Sequence, residues 1–138
     1  MAKIFTAPFA QTINNSNCVL ATLTGGIATD TPTNSVLLFT AGAEGSVVSV
    51  IEAMPRATVT ATNIYLFSST DGGTTKRLID CVLMAAQTLS TTAAVTQTVF
   101  TNYTEDYPLR LEANEQLYVA ASVSLASGIV VEARGMDY

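Results

Sequence analysis

Residues 63–89 constrain the fold more than any other part of the chain. Asn63-Ile64-Tyr65-Leu66-Phe67 is a run of branched and aromatic residues, closed by Ser68-Ser69. Thr70-Asp71-Gly72-Gly73-Thr74 follows, and Lys76-Arg77-Leu78-Ile79-Asp80-Cys81-Val82-Leu83-Met84 runs back. Asp-Gly and Gly-Gly steps allow the positive φ values of a tight hairpin turn, because glycine has no Cβ to clash. The pattern predicts a β-hairpin and points to no reaction.

The rest of the chain reads the same way. Strands are predicted over 18–24, ending at Gly25-Gly26, and over 35–40, 46–53 and 58–62, the last running into the hairpin. Further strands are predicted over 95–100, 109–112, 117–125 and 129–133. In 35–40, Leu37 and Phe39 fall on one face and Val36 and Leu38 on the other, the pattern of a strand buried on both sides. Met54-Pro55 is expected to break the ladder of the 46–53 strand, since proline has no N–H to donate. Residues 85–94 and 102–108 read as loops and 134–138 as a tail. There is no amphipathic helix, no internal repeat and no linker. About eight to ten short strands with turns between them signal a sandwich or barrel rather than βαβ units. The expectation is one all-β, antiparallel β-sandwich domain over 18–138, preceded by an extended N-terminal arm over 1–17.

Length and composition bound the function. A chain of 138 residues buries roughly two-thirds of its unfolded surface, so it needs neither metal nor disulfide to fold. Only 12% of residues are charged, against a usual share of about 25%. Thr, Ser, Ala and Asn fill the deficit. That suits strands with a polar but uncharged second face, or a surface covered by partners. The net charge is −5, and the six cations Lys3, Arg56, Lys76, Arg77, Arg110 and Arg134 are scattered. Phosphate backbones need clustered cations, so direct nucleic-acid binding is not expected.

The sequence offers little for catalysis. It has no histidine, so a Ser-His-Asp or Cys-His arrangement cannot form. Cys18 and Cys81 are far apart and lack metal-ligand spacing. Both read as small buried hydrophobes, with a disulfide as the minor alternative. Glu105-Asp106 reads as a solvated loop or an interface contact rather than a catalytic or calcium pair. Asp71-Gly72-Gly73 lacks the Lys-Ser/Thr ending of a phosphate loop. Lys76-Arg77 reads as edge-protecting charge or as a contact to an acidic partner. No catalytic, cofactor or metal site is expected, and the chain does not read as an enzyme. No signal-peptide run and no membrane-length apolar stretch is present, so synthesis in the cytoplasm and no membrane association are expected.

The candidate functional residues are therefore interface residues. Lys3, Ile4 and Phe5 can form a short strand in the arm, ahead of Pro8 and the polar run 11–17. The arm either adds to a neighbouring subunit or partner as a strand, or is an edge strand of its own domain. Tyr103, Tyr107 and Tyr138 fall in loop or terminal segments. They read as interface anchors or as ordinary packing with the hydroxyl in water. Tyr65, Phe67, Phe39, Leu117 and Val119 read as core.

Three pieces of sequence together resemble a known family. Leu37-Leu38-Phe39-Thr40-Ala41-Gly42-Ala43-Glu44-Gly45-Ser46 precedes a valine/isoleucine strand. Ile64-Tyr65-Leu66-Phe67 is followed by the Asp71-Gly72-Gly73 turn and Arg77-Leu78-Ile79. The end combines residues 111–118, Gly128-Ile129-Val130-Val131 and Gly135-Met136-Asp137-Tyr138. Over residues 35–138 this pattern resembles the capsid decoration, or cement, proteins of tailed bacteriophages. The resemblance implies a jelly-roll-like sandwich that does no chemistry. It implies a place on the capsid exterior of the virion, bridging neighbouring subunits of the DNA-filled head. The implied partners are the major capsid protein and further copies of the chain, a dimer before a trimer. Another phage head or tail component and a carbohydrate- or receptor-binding β-sandwich are the alternatives. The absence of Trp weighs against the last.

Overall fold

The computed structural model describes residue 10 and residues 12–138. These residues form nine strands: β1 (Thr12–Leu20), β2 (Val36–Thr40), β3 (Ser46–Pro55), β4 (Thr62–Ser69), β5 (Arg77–Met84), β6 (Thr98–Val99), β7 (Leu109–Leu111), β8 (Gln116–Ala121) and β9 (Ile129–Asp137). No helix occurs among the described residues. Two antiparallel sheets pack face to face. One has the order β1-β9-β3-β6, with β7 also on β3; the other has the order β2-β8-β4-β5. β6 and β7 share one edge of β3, opposite Glu52–Ala53 and Ser46–Val48, and act as a single interrupted strand. Taken so, the chain crosses between sheets at every connection but the β4–β5 hairpin. This is the winding of a jelly roll. Phe39, Ile51, Leu66, Phe100, Leu117 and Ile129 fill the space between the sheets.

The hairpin forms as its residues dictate, in register from Thr62↔Met84 to Ser68↔Arg77. Gly72 and Gly73 turn it with φ of 75° and 91°. The Ser69 hydroxyl and the Thr75 N–H each donate to Asp71 Oδ1 at 2.9 Å, and the Gly73 N–H donates to Ser69 Oγ. Hydrogen bonds from Thr75, then Ser69, hold the Asp71 carboxyl below its ordinary pKa.

Elsewhere the structure corrects the strand bounds. In β2 the alternation is broken by a bulge between Leu37 and Phe39. Leu37 is 43% exposed, while Leu38 and Phe39 are both buried. β3 continues through Pro55, opposite Ile129. There Pro55 is the last strand residue, beyond the reach of β6, and no ladder bond is asked of its missing N–H. Of 58–61 only Val59 pairs, through reciprocal backbone bonds with Gln87 of 2.9 and 3.0 Å. β8 ends at Ala121, and residues 95–97 precede β6 as a loop.

The largest difference lies at the two ends of the chain. Residues 12–17, expected in the arm, belong to β1, which pairs with β9 from Thr12↔Asp137 to Leu20↔Ile129. Residues 134–137, expected as a tail, are the second half of β9. Each polar stretch is a poor strand alone; nine consecutive pairings hold them both.

Candidate interaction surfaces

The pole where β1 begins and β9 ends is tied by a carboxylate. Asp137 Oδ1 accepts the Asn14 side-chain amide at 2.9 Å and the Ser46 hydroxyl. Asn14 Nδ2 also donates to the Thr40 carbonyl at 3.1 Å, and the Gly42 N–H donates to Ser46 Oγ at 2.9 Å. Desolvation pushes the Asp137 pKa up, but hydrogen bonds from Ser46, Asn14 and Gly42 outweigh it and hold the carboxyl below its ordinary value. Four segments from both sheets meet at this one side chain. Its neighbours leave it as a structural fastening.

The outer face of the β2-β8-β4-β5 sheet carries an aromatic row. Leu37, Tyr118, Phe67 and Leu78 stand opposite one another in register. Phe67 is fully buried but lies outside the cluster between the sheets, and its ring sits 6.5 Å from that of Tyr65. Tyr65 and Phe67 were expected as core: Phe67 is buried as expected, though on the outer face of its sheet, and Tyr65 is only half-buried. Lys76 Nζ lies 4.5 Å from the centre of the Tyr118 ring, a cation–π contact. The connection 21–35 folds back along this face. Its Asp30 carbonyl accepts the Lys76 N–H at 2.8 Å, and its carboxylate pairs with Arg77 at 3.4 Å. Lys76 and Arg77 therefore fasten this connection.

The outer face of the other sheet carries a pair of carboxylates. Glu52 and Glu132 are direct cross-strand neighbours on β3 and β9. Like charges so placed repel. Arg134 relieves them, its guanidinium meeting Glu132 at 3.2 Å and Glu52 at 3.4 Å. Beside them lies a shallow open groove of about 240 Å³, lined by Met54, Pro55, Arg56, Gln97 and Val130 with the two glutamates. Sequence reading missed this trio because Glu52 lies in a mostly apolar strand. Two glutamates each at an alternating position of a predicted strand, with an arginine two residues past one, were the signal.

The candidate interface residues are dispersed. Lys3, Ile4 and Phe5 lie outside the described residues. Tyr107 is 78% exposed in the β6–β7 loop, where Thr104 and Tyr107 bond to each other. Tyr138 is partly exposed beyond β9, and its N–H donates to Gly45 O at 3.2 Å. Tyr103 is half-buried against the core. Its hydroxyl is pushed up to about 12 by burial, then by the charge and hydrogen bond of Asp80. Asn102 reaches the same Asp80 at 3.1 Å, so this loop clips the β6 edge of one sheet to β5 of the other. Glu105 and Asp106 are exposed.

Both cysteines are free thiols. Cys18 is half-buried against the core, and burial raises its pKa to about 12. Cys81 corrects the expectation of two buried residues: it is exposed on the outer face of β5, where partial burial and then Asp80 raise its pKa. Among the described residues no group of three metal-ligating side chains comes together, and no helix is long and apolar enough to cross a membrane. Comparison with family models, curated proteins and solved structures returned no match.

Proposed function

We propose that this chain is a structural protein of a tailed-phage virion that binds the outside of the capsid and cements neighbouring coat subunits. The observation that carries this reading is where its exposed apolar side chains stand. The three most exposed, Tyr107 (78%), Ile13 (74%) and Leu83 (63%), lie on the β6–β7 loop, on β1 and on β5. These are three different sides of one sandwich, and the chain bears few charges between them. A catalytic or sugar-binding protein concentrates such groups in one cleft. A bridging protein needs contacts on several sides, each weak, multiplied by repetition over a lattice. The jelly roll is compatible with this role without dictating it, since it also serves lectins.

The test is co-sedimentation of the purified chain with DNA-filled tailed-phage heads that lack decoration. Saturable binding at on the order of hundreds of copies per head is expected. Binding at only a few copies would place the chain at a vertex or tail and overturn the cement role. Absence of binding would overturn the virion role altogether.

A further inference from the structure

The outer edges of the two sheets are occupied by β1, β2, β5 and the interrupted β6–β7 strand. β2 has five residues and a bulge, and β6 and β7 have two and three. β1 carries asparagine at three of its nine positions. β5 combines eight residues with exposed Leu78, Ile79 and Leu83. A long edge with apolar side chains is where a further strand adds, because its outward backbone groups have no ladder partner. Both ends of β5 are already covered. The Lys76 N–H donates to Asp30 O at 2.8 Å just before it, and Gln87 pairs with Val59 just after it. The middle of the strand is what remains open.

On the β8 side of β4, the Asn63 carbonyl accepts the Ser122 N–H at 3.0 Å. By alternation the backbone groups of Ile64 and Leu66 face β5, where they meet Val82 and Asp80. Cys81 and Leu83 therefore point their N–H and C=O the other way, out of the edge. Neither has a backbone partner there among the described residues. Asp80 takes the first of these donors: its Oδ1 accepts the Cys81 N–H at 2.8 Å. Its Oδ2 accepts the Asn102 amide at 3.1 Å, and the Tyr103 hydroxyl bonds the same carboxylate. Asp80 stands opposite the buried Leu66, so its side chain starts on the inner side of the sheet and reaches round to the edge. The carboxylate is thereby held over the donor that an added strand would need.

We propose that Asp80 closes the β5 edge to strand addition by a second copy of this chain, and that without it the edge pairs with itself. Two copies related by a two-fold axis at Cys81 would exchange its N–H and C=O and set Leu83 of one beside Ile79 of the other, an antiparallel extension of the sheet. The edge is thus complementary to itself, with outward bonds matched and apolar side chains together. That pairing must first take the Cys81 N–H from an ionised acceptor and bury the carboxylate between two strands. A charge-assisted bond is exchanged for neutral ones, and the desolvated carboxylate costs more than the new backbone bonds return. The same arrangement makes the two Asp80 carboxylates diagonal cross-strand neighbours of like charge. A charge on the inner side of an edge strand is a recurrent means of keeping sheets from joining. The inference does not depend on the cement reading, since it concerns a surface that the chain keeps from pairing.

The test compares the full chain with Asp80→Val by sedimentation velocity and by reaction with a short bismaleimide, with thermal unfolding as a check on folding. Peptide mapping of the product should find no Cys81–Cys81 link between copies of the unaltered chain. Asp80→Val should associate at least about tenfold more tightly than the unaltered chain and be linked through Cys81. Adding Cys81→Pro should return the mass to that of the unaltered chain, since it removes the outward N–H without removing a bond to β4. If Asp80→Val does not fold, Asp80→Asn, of the same shape without the charge, replaces it and should associate in the same way. Folded Asp80 variants with the mass of the unaltered chain would overturn the inference. So would association that yields no Cys81 link or survives Cys81→Pro, and so would a Cys81 link in the unaltered chain.

Discussion

Asn14, on the first strand, donates its side-chain amide to the carboxylate of Asp137, on the last, at 2.9 Å. The same amide reaches Thr40 of the other sheet. One asparagine in a stretch that looks like a flexible arm therefore joins β1, β9 and β2. Asn14→Ala should cost about 1–2 kcal/mol, because it removes both bonds and leaves part of the carboxylate unmatched. Denaturant unfolding would show the loss as a lower midpoint with an unchanged slope.

The same carboxylate makes stability depend on pH. Its pKa in the folded chain lies below the ordinary 3.8. A depressed folded pKa gives stabilisation that is complete above the unfolded value and lost as pH falls through the folded one. The melting temperature of the unaltered chain should therefore drop between about pH 5 and pH 3 more steeply than that of Asp137→Asn. Parallel profiles would show that the carboxylate contributes nothing.

Gly135 lies in mid-strand in β9, where a Cβ would meet the Val47 carbonyl at 2.5 Å and the Phe39 ring at 3.3 Å. The opposing atom is backbone, so β3 would have to move. Gly135→Ala should lower stability by about 2–3 kcal/mol. A calorimetric melting point close to that of the unaltered chain would show that the sheet yields freely here.

The sequence-level view succeeds where local chemistry and pairing agree, as in the hairpin, whose Asp71-Gly72-Gly73 turn and branched flanks leave few alternatives. It fails where pairing overrides propensity. Asn14, Asn15 and Asn17 belong to a strand only because β9 is long enough to pair with them. It also fails at bulges, which one strand read alone does not reveal. Strict alternation placed Leu37 with Phe39, but the bulge buries Leu38 and Phe39 and turns Leu37 out. Leu37→Ser should therefore be nearly neutral, while Leu38→Ala should cost about 2–5 kcal/mol. Equal costs would restore the unbulged reading. Of the candidate site, the exposure of Tyr107 was legible from its loop. The Tyr103–Asp80 contact was not, since it depends on which edges of two sheets meet.

The two thiols differ in access. Cys81 should react with a maleimide in the folded chain, slowly for its exposure because Asp80 and partial burial disfavour the thiolate. Cys18, pushed up to about 12, should react only on unfolding. Two reactive thiols in the folded chain would show that β1 opens readily. A reductant should leave the melting temperature unchanged, as both residues are free.

Arg134 stands between two carboxylates that face each other across β3 and β9. Removing it as Arg134→Ala should lower stability, and the loss should shrink as salt screens the remaining repulsion. The informative variant is the second one. Glu52→Gln in the unaltered chain removes a partner of the arginine and should be neutral or mildly destabilising. In the Arg134→Ala background the same change relieves an unopposed like-charge pair, so it should stabilise. This reversal of sign is what a double-mutant cycle measures, and it separates mediation by the guanidinium from two independent surface pairs. If Glu52→Gln has the same effect in both backgrounds, Arg134 does not couple to Glu52. The groove beside them would then be polar surface with no fixed charge arrangement.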